Sequence, residues 1–419
     1  MFRPSLEETM SEPPTSAIVE RRKFPRGRRV LIIVENLPVP FDRRVWSEAT
    51  TLRRAGYEVS VICPKGRGAR LSFERIEGVD IYRHPAPLEA SGFGGYIGEY
   101  ALALFWEFAL ALKLWFGRGF DVIHACDPPD LIFVVGAVFK YLFGVKFIFD
   151  HHDLGPELYE AKFGRRDFGW RLMTRLERAS FAIADVSIAT NHSYRDVAIA
   201  RGGMAPERVH VVRSGPRLEH SSLPAPDRSW ARGRAYLVGY VGVIGRQEGL
   251  DLLMDSIRHI LARGRVDIQF VVVGAGPALR EIQALATTLG LDEAVTFTGR
   301  VDDATLFSIL SASDVCVNPD RPNAMNDQST MNKILEYMAL GRPIVQYDLR
   351  EGRFSAGDAS LYARNTDPID FAEQILALLA DPALRARMGE LGRRRIAEQF
   401  GWRHEAPKLL RAYGQAFGE

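Results

Sequence analysis

Neither a closely spaced pair of cysteines nor an excess of charge of either sign occurs in this chain of 419 residues. Cys63, Cys126 and Cys316 lie far apart, which excludes the usual metal spacings and a complete disulfide set and implies a reducing cytoplasm. The 54 Lys and Arg residues nearly cancel the 52 Asp and Glu, leaving a net charge of +2. That balance argues against a nucleic-acid partner, which usually needs a strong basic excess. The first 20 residues are polar and acidic, unlike a secretory signal with its apolar centre. The greasiest segment, Gly94 to Phe120, is broken by Glu107 and Lys113 and falls short of the ~18 uncharged residues a spanning helix needs.

What is there is the composition of a soluble globular protein, 47% hydrophobic and 25% charged, at a length that suits two domains. Residues 21–29, RRKFPRGRR, carry six basic residues in nine; within a predicted arm over 1–28 they read either as a solvated disordered tail or as attraction to anionic lipid. The 94–120 segment, with Trp106, Trp115 and Arg118, suits both a helix packed on a sheet and a helix sunk in a membrane interface.

Short apolar runs alternate with helical patterns along the rest. RVLIIVE, EVSVICP, FDVIHAC, VKFIFD, DVSIAT and RVHVVRSG read as strands buried on both faces, hence a parallel sheet. A Pro-, Ser- and Arg-rich break follows at 215–234, after which AYLVGYVG, VDIQFVVVGAGP, AVTFTGR, DVCVNP and RPIVQYD restart the pattern. The predicted fold is α/β: two doubly wound, Rossmann-like domains over 29–222 and 223–400, facing a cleft where such sheets bind ligands. A last helix, 401–419, has no strand to follow and is expected to cross back to the first domain.

Three stretches carry the chemistry. In DQSTMNKILEYMALGRPIV, from Asp327 to Val345, Ser329 or Thr330 is the predicted cap of a helix whose tip and Lys333 favour a phosphate. Glu336, which only accepts hydrogen bonds, suits a vicinal diol such as a ribose. A surface helix with a Lys333–Glu336 ion pair is the competing reading. In GYVGVIGRQEG, Gly239 to Gly249, four glycines allow close backbone approach to a ligand, but no Walker ending follows. In FIFDHHDLGPELY, Asp150, His151, His152 and Asp153 crowd a strand's carboxyl end; neighbours in sequence rarely converge on one metal, so a carboxylate-oriented histidine is the expectation.

Together with FDRRVWSEATTLRRAGYEVSVICP and DVIHACDPPDL, these stretches resemble the retaining GT-B glycosyltransferases of glycosyltransferase family 4, in the branch that builds bacterial surface polysaccharides. The resemblance covers about 29–415 and implies a nucleotide-sugar donor, with uridine diphosphate as the family's commonest leaving group, and a saccharide or polyprenyl-linked saccharide acceptor. By similarity Glu336 holds the ribose and His152 contacts the donor sugar. The family's first acid falls at Gln328, with Asp327 adjacent as a substitute. Cationic positions of the glycine turn correspond to Val243 and Glu248, leaving Arg246 and Lys333 as candidates for the diphosphate. Gly242, Gly245, Ser329, Thr330 and Met331 complete the implied donor site, and Asp42, Arg43, Arg44 and Asp153 the acceptor or phosphate contacts. The resemblance implies no cofactor and no metal, since no Asp-x-Asp motif is present, and a place on the inner face of the cell membrane. The alternatives are a non-catalytic member of a polysaccharide assembly and a nucleotide-sugar 2-epimerase.

Overall fold

The computed structural model describes residues 27–66, 68–85, 92–128, 130–217, 224–364 and 366–419, with the backbone alone at 92–97, 99, 100 and 130. The expected basic arm and the 222/223 domain boundary lie almost wholly outside these residues.

The first sheet contains β1 (Arg29–Val34), β2 (Glu58–Pro64), β3 (Phe73–Ile76), β4 (Val79–His84), β5 (Val122–Cys126), β6 (Lys146–His151), β7 (Val186–Ala189) and β8 (Val209–Val211) in the order β3-β4-β2-β1-β5-β6-β7-β8. Every pairing is parallel except β3 with β4. The second sheet is wholly parallel: β9 (Tyr236–Val241), β10 (Ile268–Val273), β11 (Val295–Gly299), β12 (Val315–Asn318), β13 (Ile344–Tyr347) and β14 (Ser360–Ala363), ordered β11-β10-β9-β12-β13-β14. Chain order reverses between β1 and β5 and between β9 and β12, and open α/β sheets hold ligands outside the strand ends at such points.

Both faces of each sheet are covered, which is why the strands read as continuous apolar runs. Val30, Ile32 and Val34 pack into one layer of the first domain and Leu31 and Ile33 into the other. In the second domain Val238 and Tyr240 face one layer and Leu237 the opposite one. Strands β3, β4 and β14 were not predicted. The first two form a hairpin on a Glu77–Gly78 turn, both residues at positive φ, and β14 is only four residues, SLYA.

The last helix, Trp402–Ala416, returns to the first domain as expected. Leu409, Ala412 and Tyr413 join Val30, Val45 and Leu52 in one core layer; Trp402 Nε1 donates to Thr51 Oγ1 at 2.9 Å. Where the chain crosses, residue 215 runs against the start of this helix: a β-carbon on Gly215 would meet Phe400 O at 2.3 Å, so only glycine fits.

The stretch from Asp327 to Val345 is not one capped helix. A short helix, Ala324–Gln328, is capped by Asn323 and ends at Ser329; a second, Asn332–Ala339, begins after Met331 with no side-chain cap. The greasy helix spans Gly92–Gly117. No helix among the described residues is long and apolar enough to cross a membrane. Trp115 packs against Phe120, Phe139 and Phe143, as a helix docked on the sheet does.

Leu409 is fully buried between the two ends of the chain. Leu409→Ala is expected to destabilise the first domain by about 2–5 kcal/mol, seen as an earlier first-domain transition in urea while second-domain unfolding stays in place.

Candidate active site in the cleft between the two sheets

The helix Arg43–Arg54 starts at the carboxyl end of β1, with Asp42 as its cap accepting from Val45 N at 3.0 Å. Asp42 is thereby used locally. The two arginines that follow point different ways, as adjacent helical positions about 100° apart do.

Arg44 turns inward. Its guanidinium grips Asp150 at the end of β6, Nη2 to Oδ1 at 2.7 Å and Nε to Oδ2 at 3.1 Å, and donates to Val212 O at 2.8 Å. Around the pair stand Glu48, His124 and Cys126, all buried. Burial pushes Asp150 up, but Arg44 and then His152 outweigh it and hold the carboxyl well below its ordinary range. Burial, reinforced by Asp150, raises Glu48 well above its own, and burial lowers His124. Arg44 and Asp150 form the enclosed ion pair; burial shifts Glu48 and His124 toward their neutral forms, and Glu48 Oε1 also lies 3.3 Å from Arg44 Nη2. Arg44 is thus a buried structural ion-pair partner rather than the substrate contact expected for it. Glu48, Cys126, Asp150 and His152 offer donor atoms within 4.8 Å of one another, but the Arg44 charge among them opposes a metal.

His152 Nε2 lies 2.5 Å from Asp150 Oδ2, and the backbone N–H of His152 donates to Asp127. Arg44 Nε reaches the same His152 nitrogen at 2.9 Å, so the ring is fixed between the Asp150 carboxylate and the Arg44 guanidinium. His151 points elsewhere: it is fully buried, 3.3 Å from Glu177. Asp153 is partly buried beside His152, and burial raises its carboxyl.

Arg43 turns outward across the cleft. Nη1 meets Glu336 Oε1 at 2.6 Å and Nη2 meets Asp303 Oδ1 at 2.5 Å, both on the second domain. Burial raises the Glu336 carboxyl, and Arg43 opposes that rise. The Lys333–Glu336 ion pair of the competing reading does not form: Lys333 pairs with Asp320 and Glu336 with Arg43. These residues line a cavity of about 390 Å³ with Trp46, Ser214, Arg217, Asn332 and Trp402. Asn332 and Glu336, one helical turn apart, present the second domain's polar groups to it.

Lys333 lies one position round the same helix, with Nζ 2.7 Å from Asp320 Oδ1 and 4.9 Å from the Tyr240 ring centroid. Arg246 is 83% exposed and paired to Glu281 at 3.1 Å. The glycine turn packs on itself: a β-carbon on Gly242 would meet Tyr240 Oη at 2.7 Å, and one on Gly245 would meet Glu248 Oε2 at 2.6 Å.

The remaining expected donor residues are occupied by the domain interface. Ser329 Oγ is 3.0 Å from Tyr194 Oη and donates to Met325 O. Thr330 Oγ1 accepts from Arg213 Nη1 at 3.0 Å and Asn191 Nδ2 at 3.1 Å. Neither hydroxyl caps the Asn332–Ala339 helix, so the capping expectation is corrected. Met331 is its non-helical first residue and packs partly buried on the core. Asp327 accepts from Arg350 N at 2.8 Å, and Gln328 Nε2 donates to Ala324 O at 2.8 Å. Sequence reading missed Asp303, Asp320 and Asn332. Asn332 was findable one turn before Glu336; Asp303 and Asp320 enter only through tertiary contact.

This architecture matches solved glycosyltransferases of the GT-B fold. The chain superposes on sucrose-phosphate synthase from Thermosynechococcus elongatus with a TM-score of 0.74 at 22% identity, covering 93% of this chain and 99% of the other. It superposes on the Anabaena protein HepE in complex with UDP-glucose with a TM-score of 0.69 at 15% identity, covering 92% and 99%. Residues 42–220 match the family model described as Glycosyltransferase Family 4, and residues 235–381 the one described as Glycosyl transferases group 1. The chain is 30% identical to D-inositol 3-phosphate glycosyltransferase 1 of Catenulispora acidiphila over 71% of this chain and 72% of the other. It is 31% identical to alpha-D-kanosaminyltransferase of Streptomyces kanamyceticus over 73% and 80%. The chain belongs to the group 1, family 4 glycosyltransferases.

Breaking the buried pair by Arg44→Met leaves Asp150 uncompensated and is expected to destabilise the first domain by about 3–5 kcal/mol. Adding Asp150→Asn should restore much of that loss, measured by chemical unfolding at neutral pH.

Proposed function

We propose that this glycosyltransferase takes its sugar from a nucleotide-sugar bound across the cleft and passes it to a saccharide or lipid-linked saccharide acceptor with retention of anomeric configuration. The observation that carries this reading is the helix Asn332–Ala339: its start has no side-chain cap, Lys333 stands in its first turn, and Glu336 faces the cavity. Uncapped N–H groups and a positive helix end suit a phosphate, and an acceptor-only carboxylate suits ribose hydroxyls. Arg43 currently satisfies Glu336, so donor binding requires that contact to be shared or released. The His152 ring, fixed by Asp150, is the first domain's contact to the donor sugar, and Gln328 or Asp327 takes the place of the family's first acid. Uridine diphosphate is the proposed leaving group, supported by the UDP-glucose bound to the structural neighbour HepE.

Chemically, charge grows on the leaving diphosphate as the anomeric C–O bond breaks. A helix end and a fixed lysine stabilise it without reorganising, and no metal or other cofactor is proposed. Retention without a positioned nucleophile fits attack from the face the nucleotide leaves.

The acceptor reading rests on an apolar patch. Phe105 and Phe116 on the greasy helix and Tyr141 and Leu142 on the helix Phe133–Phe143 are exposed, Phe116 by 80% and Leu142 by 70%. Large apolar groups exposed on two neighbouring helices suit a membrane surface, and the family resemblance supports a place on its cytoplasmic side in cell-surface polysaccharide synthesis.

Three outcomes test the proposal. In a thermal-shift panel one nucleotide-sugar should raise the melting temperature of the wild type and not of Glu336→Ala; no shift with any of them would count against the donor site. Lys333→Met is expected to lower kcat by roughly 10²–10³-fold with a smaller change in KM, and equal loss in both would remove its transition-state role. Phe116→Glu with Leu142→Glu should release the protein from anionic vesicles in flotation, and unchanged flotation would remove the membrane surface.

A further inference from the structure

The charges near the start of the Asn332–Ala339 helix do not suit the anion that the proposed function brings there. Lys333 is held by Asp320, itself 1% exposed. The turn carrying Glu248 packs on the same segment as Asp320: Gln247 O accepts from Arg321 N at 3.1 Å and Asn326 Nδ2 at 3.0 Å, and a β-carbon on Gly249 would meet Pro319 O at 2.1 Å. Within it Glu248 Oε2 is shielded from solvent, has no hydrogen-bond partner among the described residues, and lies against Gly245. Asp320 Oδ2 is equally shielded and unpartnered among them. The groups facing Glu248 are Lys333 from the helix, Asp320 after β12, Tyr240 from β9, and backbone N–H groups of its own turn. Arg246 is turned to Glu281 and Arg321 to Asp251. With Glu248 ionised, the cluster holds two carboxylates against one ammonium. A diphosphate adds two further negative charges, and in a partly buried site such like charges repel strongly.

We propose that Glu248 enters the donor complex as a neutral carboxylic acid, its O–H donating a hydrogen bond to a diphosphate oxygen, so that binding a nucleotide-sugar takes up one proton from solution. The proposal rests on reading this helix start as the diphosphate site. The proton is within reach near neutrality: burial pushes Glu248 up to about 7, Lys333 opposing and Asp320 adding to the rise, and an arriving anion raises it further. Burial keeps Tyr240 neutral throughout. The sign follows from linkage. Affinity is full where free Glu248 is already protonated and falls by about tenfold per pH unit above that point, until the pKa of the complex is reached.

Isothermal titration with UDP-glucose, GDP-mannose, ADP-glucose and TDP-glucose tests this, because a diphosphate diester has no group of its own that titrates near neutrality. Titrations at about pH 6.5 and about pH 8.5, each in two buffers of different ionisation heat, should show Kd rising roughly 10- to 30-fold with pH and close to one proton taken up at the higher pH. Glu248→Gln should bind with nearly the same Kd at both, and Glu248→Lys should bind tightly at both. A wild-type Kd that ignores pH without proton uptake would overturn the proposal and leave the donor site standing. So would a pH dependence that survives in Glu248→Gln, or binding at high pH that depends on added Mg²⁺. Should Glu248→Gln fail to fold, proton uptake by the wild type decides alone. Absence of binding by all four at either pH would overturn the donor site itself, and this inference with it.

Discussion

Two consecutive arginines at the start of one helix tie the cleft together, and they do so because adjacent helical positions face different sides. Arg44 reaches back into the first sheet and, with Asp150, fixes the strand end that carries His152. Arg43 reaches forward and closes on Glu336 and Asp303 of the other domain. The enclosed pair is held from several sides: Glu48 and His124 pack against it in the core, and His152 contacts both partners. Arg43 is half exposed and Glu336 mostly buried, so a polar ligand can compete for the arginine. One arginine orders the first-domain strand end and the other bridges the two domains.

The second domain has the converse arrangement. Its cation, Lys333, is already answered by Asp320, and the loop that faces it supplies Glu248 where relatives of the resembled family carry a base. The helix end supplies positive potential without a counter-ion. Under the proposed function such a site stabilises developing charge by orientation rather than by an excess of cations, and the proposed proton uptake makes one carboxyl part of the binding equilibrium.

Much of the fold was legible because both sheets are buried on two faces. Runs such as VLIIV and QFVVV have no polar face to confuse with a helix. Strands β3 and β4 escaped because FERI is half exposed and the runs are short; the Glu77–Gly78 turn was the signal to follow. The site was legible in its residue types and less so in its pairings. Glu336 faces the cavity, whereas His152 is not among its lining residues; the carboxylate beside His152 was anticipated. Ser329 and Thr330 looked like caps because small hydroxyl residues preceded a helix, yet the interface with Asn191, Tyr194 and Arg213 claims them. Arg43 and Arg44 read alike in sequence; only the packing of Asp150 and the approach of Glu336 separate them.

The central claim is that donor binding engages the start of the Asn332–Ala339 helix together with the glycine turn after β9. Amide hydrogen exchange, with and without the nucleotide-sugar that stabilises the protein most, examines both segments at once. Slower exchange is expected at 242–249 and 329–336, with a smaller change at 150–153 from the opposing histidine. Slower exchange confined to the first domain, with both second-domain segments unchanged, would contradict it.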